Sequence, residues 1–378
     1  MPVDLSRFIF IDHHAHSLLK GHLQLDALAF RQRFSESRSI SQLEKHSLSS
    51  LPYRDVLRRL DSLLGKGSEE ALLEYRAEQP EQAYLNTLWD DVSIGAMIID
   101  DGFHPAEMMG LSQLAHLSGR PVYRCARIET VLEECLARAG SFTELSRLFQ
   151  KSFSEHGAVR TVALKSIAAY RGGLELEVVS AQDAHNDFDR VKAQFKTGSS
   201  RIKRGKLYHY FLLQAFELAA TKNWPVQLHA GIGDDDEDLR EADPLCFRKV
   251  LHSQAFAKTN FVFLHCYPFV GQAAYLASIY PNVYFDLSLA VSLASPLAAD
   301  MILEALTVAP VTKLLAGSDG HSIPETHWYG ALSWKRGLTH ALARLVAEEF
   351  LTVPEAEDVA ARVLHDNARR LYGLDDLV

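Results

Sequence analysis

Cysteine is scarce in this chain. Four residues, Cys125, Cys135, Cys246 and Cys266, are scattered through 378 positions with no CxxC spacing. That pattern excludes a disulfide framework and a thiolate zinc site, and it fits a reducing cytoplasm. Long hydrophobic runs are also missing. The N-terminal MPVDLSRFIFIDHHAH holds only the short apolar run FIFI between charged residues, too short for a signal-peptide core or a membrane span, so neither export nor an anchor is expected. There is no excess of positive charge: 39 Lys and Arg stand against 48 Asp and Glu, a formal net charge of -9. Nucleic acid and anionic membrane surfaces are therefore poor generic partners. The one basic stretch, RVKAQFKTGSSRIKRGKL at 190 to 207, reads as a solvated loop and helix face. Internal repeats, heptads and low-complexity tracts are absent.

What is present is a composition that can bury a sizeable core, 47% hydrophobic and 23% charged. Short apolar runs rich in β-formers recur, each followed by helical patterning: FIFID (8 to 12), AMIID (96 to 100), PVYRCARI (121 to 128), TVALKSIAAY (161 to 170), PVQLHAG (225 to 231), FVFLHCY (261 to 267), NVYFDLS (282 to 288) and KLLAGSD (313 to 319). Continuous apolar strands alternating with helices indicate a parallel sheet covered on both faces. Eight such units predict an α/β fold of the (β/α)8 TIM-barrel type, with residues 1 to 378 forming a single domain. The segment 211 to 222, FLLQAFELAATK, reads as a helix that ends before Pro225.

The link from strand one to strand two, about residues 18 to 94, is too long for a loop. It carries helical patterns such as YRDVLRRLDSLLGK and EEALLEYRAEQPEQAYLNTL. It is expected to be a helical insertion over the C-terminal face of the barrel, where such folds place their active sites.

Chemistry collects at the predicted strand ends. In Asp12-His13-His14-Ala15-His16, His14 and His16 are two residues apart, so on an extended strand they share a face and can share a cation, while His13 points to the other face. Strand five ends in His229, strand six in His265 and strand eight in Asp319. Any one of these reads equally well as a hydrogen-bonded histidine or a capping aspartate, but together at the strand mouths they suggest a metal site. Lys165 interrupts the apolar run of strand four. Burial lowers a lysine's pKa, and a neutral amine can take up carbon dioxide to give a carbamate able to bridge two metals; the alternative is an unmodified lysine that holds a substrate carboxylate or an acidic neighbour.

This set, HxH on strand one, Lys on strand four, His on strands five and six and Asp on strand eight, resembles the amidohydrolase superfamily. The stretches KSIAAYRGGL (165 to 174), LHAGIGDDDEDLREADPL (228 to 245) and HCYPFVGQAAYLASIYPNVYFDLSLA (265 to 290) resemble a narrower group. This is the amidohydrolase-related domain also found fused to glutamine synthetase-like domains in plant nodulin-type and fungal developmental proteins. The resemblance covers nearly the whole chain. It departs after residue 340, where closing helices are expected and no synthetase domain, a stand-alone version. It implies that His14, His16, His229 and Asp319 bind a divalent metal, with Lys165 and His265 joining if the centre is binuclear. In a mononuclear member His265 would instead contact the nucleophilic water or the substrate. The N/O ligand set suits Zn²⁺, and also Mn²⁺ or Fe²⁺.

The expected activity is hydrolysis of an amide or related carbonyl bond (C–N bonds other than peptide bonds) in a small carboxylate-bearing substrate. Asp319 would move the proton and Arg171 would hold the carboxylate, with Arg124 and Arg127 as weaker candidates. A mononuclear decarboxylase or hydratase on the same barrel is the alternative, and a non-catalytic metabolite-sensing domain is a further one. The acidic run Asp234, Asp235, Asp236, Asp238 lacks EF-hand spacing and reads as a solvated helix N-terminus. His321 and His327 are left unassigned, and a homo-oligomer is compatible with this fold.

Overall fold

The computed structural model describes residues 4–104, 106–153, 157–196, 201–375 and 377. Seven strands form one sheet in sequential order: β1 (Phe10–Ala15), β2 (Ile94–Asp100), β3 (Val122–Arg127), β4 (Thr161–Ser166), β5 (Val226–Ala230), β6 (Phe261–His265) and β7 (Val283–Phe285). Every neighbouring pair is parallel. The strands are largely buried because both faces are covered; β5 and β6 are buried at every position. One large apolar cluster lies between sheet and helices. A smaller one gathers Ile11, Ile98, Cys125, Ala163 and Leu264 with Tyr372 and Leu374 of the C-terminal segment, filling the concave side of the curled sheet.

The expected eighth strand is corrected. Residues 313 to 319 form no regular strand and make a single parallel bridge, Leu314 to Phe285. The segment still runs between β7 and β1. Leu315 donates its backbone N–H to Phe285 O (3.0 Å), Asp319 donates to His14 O (3.0 Å), and His16 donates to Gly320 O (2.7 Å). The segment ends at Asp319, which takes a left-handed conformation (φ 52°) outside the extended region.

Five helices lie between β1 and β2: α1 (Ala27–Gln32), α2 (Ile40–His46), α3 (Leu51–Leu64), α4 (Glu69–Glu78) and α5 (Glu81–Asp91). Gly65, in the left-handed region, ends α3. Pro80 separates α4 from α5 because the residue before a proline is driven to extended geometry, and Gln79 sits at ψ 147°. The α1, α3 and α4 helices are tied at Glu69, which accepts from Arg31 Nε (2.8 Å) and Tyr53 Oη (2.6 Å). They are pinned to the rest of the chain by Arg76, whose guanidinium grips Glu325 at the start of the helix Pro324–Ala347. The 211 to 222 helix starts earlier than expected, at Lys206. No helix among the described residues is long and apolar enough to cross a membrane. Residues 197–200 of the basic stretch lie outside the described residues.

Candidate metal centre

The strand-end side chains converge beyond the C-terminal edge of the sheet, and a chain of hydrogen bonds fixes how they face. Gln227 in β5 donates its amide to His13 O (2.7 Å) and to Tyr372 Oη (2.9 Å). That leaves its Oε1 to accept from His14 Nδ1 at 2.8 Å. With Nδ1 carrying the proton, His14 presents the bare lone pair of Nε2, the state a metal ligand needs. This Nε2 lies 3.1 Å from Asp319 Oδ1, and His16 Nε2 lies 3.3 Å from the same oxygen. His16 is turned by Asp100, whose backbone carbonyl is 3.4 Å from Nδ1. His13 faces elsewhere, bonded to Asp286 (2.7 Å) and Tyr372 (3.0 Å).

Asp319 Oδ1 is buried and accepts no hydrogen bond. A buried carboxylate oxygen without a donor is costly, and here two imidazole nitrogens face it. Burial alone would push this carboxyl up, but His265, His14 and His16 around it hold it well below the usual carboxylate range. Burial, reinforced by nearby Lys165, lowers the His14 imidazole to about 4, and burial drives His265 well below its ordinary value. An anionic carboxylate among neutral imidazoles is a donor set for a divalent cation. Nitrogen or oxygen atoms of His14, His265 and Asp319 all come within 4.8 Å of one another.

Lys165 is 2% exposed, and its Nζ lies 3.4 Å from His14 Nε2. Burial lowers its pKa against the pull of Asp100 and Asp319. His265 is held by two contacts, Nδ1 to Ser288 Oγ (2.8 Å) and its own N–H to Asp286 Oδ1 (2.6 Å). His265, Cys266 and Asp319 all have positive φ, so non-glycine strain concentrates at this edge of the sheet.

His229 joins differently. Its ring centroid is 4.6 Å from that of His265 and 4.5 Å from that of Tyr170. Its Nε2, however, lies 3.1 Å from Glu237 Oε2. Glu237 was hidden in the acidic run, which starts no helix: residues 231 to 243 are turns. There Asp234, Asp235 and Asp236 face solvent and Arg38, while Glu237 turns inward. Gly233 permits this, since a Cβ there would collide with the Tyr170 hydroxyl, Glu237 and His229. Gly233, the residue immediately before the acids, was the one signal in the sequence.

The three arginines singled out from sequence are engaged elsewhere. Arg171 points to Glu133 on the helix Ile128–Arg138, 3.4 Å away. Arg127 forms a forked pair with buried Asp100, and Arg124 pairs with Asp101. Beside Asp319 opens a narrow cleft between the barrel mouth and α1 to α3, lined by Arg33, Phe34, Glu36, Tyr53, Leu289 and His321 among others. His321 is thus a cleft residue, whereas His327 is structural, bonded to His16 O and Ile323 O.

A family model described as Amidohydrolase matches residues 181–374, about half of the chain, and the chain belongs to that family. Among individual proteins, it is 25% identical over 401 residues to Protein fluG of Emericella nidulans. That match takes in 97% of this chain and spans only 46% of the length of fluG. A crystal structure from Lactobacillus casei, assigned provisionally as a metal-dependent hydrolase, superposes with a TM-score of 0.88 at 28% identity, covering 100% of both chains. A uronate isomerase from Thermotoga maritima shares the fold at a TM-score of 0.67 and 14% identity, covering 97% of this chain and 95% of its own.

Proposed function

We propose that this chain is a metal-dependent hydrolase that attacks an amide or related carbonyl bond of a small molecule. The observation that supports this reading best is the buried Asp319 Oδ1, which accepts no hydrogen bond and faces Nε2 of both His14 and His16. A cation between them resolves the arrangement. His14, His16 and Asp319 would hold one divalent ion, Zn²⁺, Mn²⁺ or Fe²⁺ by donor type; His229, Lys165 and His265 would complete that site or hold a second. When bound, the metal supplies hydroxide at neutral pH and polarises a carbonyl.

The chain's own residues do the rest. Asp319 accepts the proton of the attacking water and returns it to the leaving group. His265, held neutral and fixed by Ser288, faces the substrate carbonyl. In this reading residues 314 to 320 act as the eighth stave of the barrel, and α1 to α5 cap the mouth and exclude water. Lys165 serves as a carbamate in a two-ion centre or as a free amine in a one-ion centre. The hold of Glu237 on His229 Nε2 removes one donor from the cluster and favours a second reading, a mononuclear decarboxylase or hydratase.

Elemental analysis of protein purified without chelators, with intact mass before and after acid, tests both. Two ions per chain and an acid-labile mass near that of one carbon dioxide support the binuclear hydrolase. One ion without the adduct shifts the case to the second reading, and no ion after reconstitution sinks both.

A further inference from the structure

In the cleft beside Asp319 one cation stands without a partner. Arg33 follows α1, and its Nε is buried with no hydrogen-bond partner. Among the described residues its side chain makes no hydrogen bond, and no carboxylate comes within 4.0 Å of it. Burial lowers its pKa, and exposed Glu107 is the acid that pulls against that from a distance. Arg33 is half-buried, with Nε the enclosed atom; a buried donor without a partner is costly, and a ligand carboxylate matches the planar fork. The same cleft is lined by Phe34, Val56, Leu289, Leu293 and Asp319, so a cation, an apolar wall and the reacting carboxylate share one space.

We propose that Arg33 is the specificity residue of this site and anchors the single carboxylate of a small substrate with an apolar or aromatic body, its reactive carbonyl directed at Asp319. The inference rests on the hydrolase reading for the reacting end alone. A single anion is specified because, among the described residues, Arg33 is the only lysine or arginine lining the cleft. A dicarboxylate or a phosphate monoester would leave one negative charge without a cation there, at a cost in affinity. Arg171, turned to Glu133, is replaced by Arg33 in this role.

The test is direct binding by calorimetry at pH 7 and fixed ionic strength, on protein whose metal content is assayed in the same preparation. The probes are 3-phenylpropanoate, the neutral 3-phenylpropanamide, phenylsuccinate and phenyl phosphate. Wild type is expected to bind the monocarboxylate at least tenfold more tightly than the amide, and more tightly than either dianion. Arg33→Met is expected to lose ten- to a hundredfold for the monocarboxylate and to leave the amide unchanged; Arg33→Lys should fall between. Equal carboxylate affinity in wild type and Arg33→Met would place the anion on the metal and overturn the proposal, as would preference for either dianion. Should Arg33→Met melt early, Arg33→Lys carries the comparison, and an unweakened monocarboxylate affinity there overturns it too. Absence of metal with Arg33-dependent selectivity intact would sink the hydrolase reading and leave the anchor standing.

Discussion

Two buried polar clusters in this molecule contrast in one respect. Within the Arg76–Glu325 pair every polar atom is satisfied, although His22 Nε2 nearby is buried without a partner. The guanidinium donates to both oxygens of Glu325 and to Leu23 O, and Tyr84 adds a third donor to Glu325; neither side of the ion pair is exposed at all. Around Asp319 the accounts are left open. Asp319 Oδ1 and Glu237 Oε1 are both buried without a donor, two imidazoles are held neutral against a carboxylate, and three residues sit at positive φ. In the first cluster the Arg76–Glu325 ion pair is complete in itself and fastens α4 and α5 to the helix Pro324–Ala347. The second is stable only as part of a larger whole, which is the signature of a site built to receive something.

The contrast is tested most severely at Asp319. Asp319→Asn should lower turnover by 10² to 10⁴ and reduce bound metal, while thermal stability of the metal-free protein stays level or rises. A large loss of metal-free stability would show that Asp319 is structural and erase the distinction. Next in size, Arg76→Met should cost about 3–5 kcal/mol in urea unfolding because Glu325 is left charged and buried alone. Replacing both partners with Met should recover most of that, as the penalty lies in the orphaned charge. A smaller effect is expected from Glu237→Gln: metal affinity changes by roughly 10- to 100-fold, as for other groups that orient a ligand histidine, with unfolding midpoints unaffected. Competition with a chelator of known affinity measures it.

The smallest concerns a charge between the two extremes. Lys335 donates to Phe8 O at 2.8 Å and has no carboxylate partner within 4.0 Å among the described residues. Burial pushes it down to about 8, against 10.5 for a free side chain. The unfolded chain therefore binds the proton more tightly, and between pH 8 and 10.5 it carries more protons than the folded one. Stability contributed by this group rises with pH across that window, by on the order of 1 kcal/mol. The difference in stability between wild type and Lys335→Met should follow that slope, and a flat difference would rule it out.

Much of this was legible in order along the chain. Recurring apolar runs marked seven strands, because parallel strands are covered on both faces and need no polar alternation. The HxH pair and the residues at the ends of β5 and β6 followed from where strands stop. Other features had no local signal. Glu237 sits among four aspartates of similar chemistry, and only the turn around Gly233 separates its inward path from their outward ones. Arg33, which follows α1, and Arg171, which follows β4, carry the same guanidinium, yet one lines the cleft and the other faces Glu133. The eighth segment was apolar enough to be a strand, but it makes a single bridge and ends in a left-handed turn at Asp319.

The sequence by itself determined the parallel α/β framework and the residues that meet at its mouth, because strand ends in such a sheet share one edge whatever the loops do. Only the tertiary structure decided which atoms face one another. The protonated nitrogen of His14 depends on Gln227, whose own orientation depends on Tyr372 near the other end of the chain. An imidazole's usable lone pair is set by its through-space partners, and no spacing along a sequence records them.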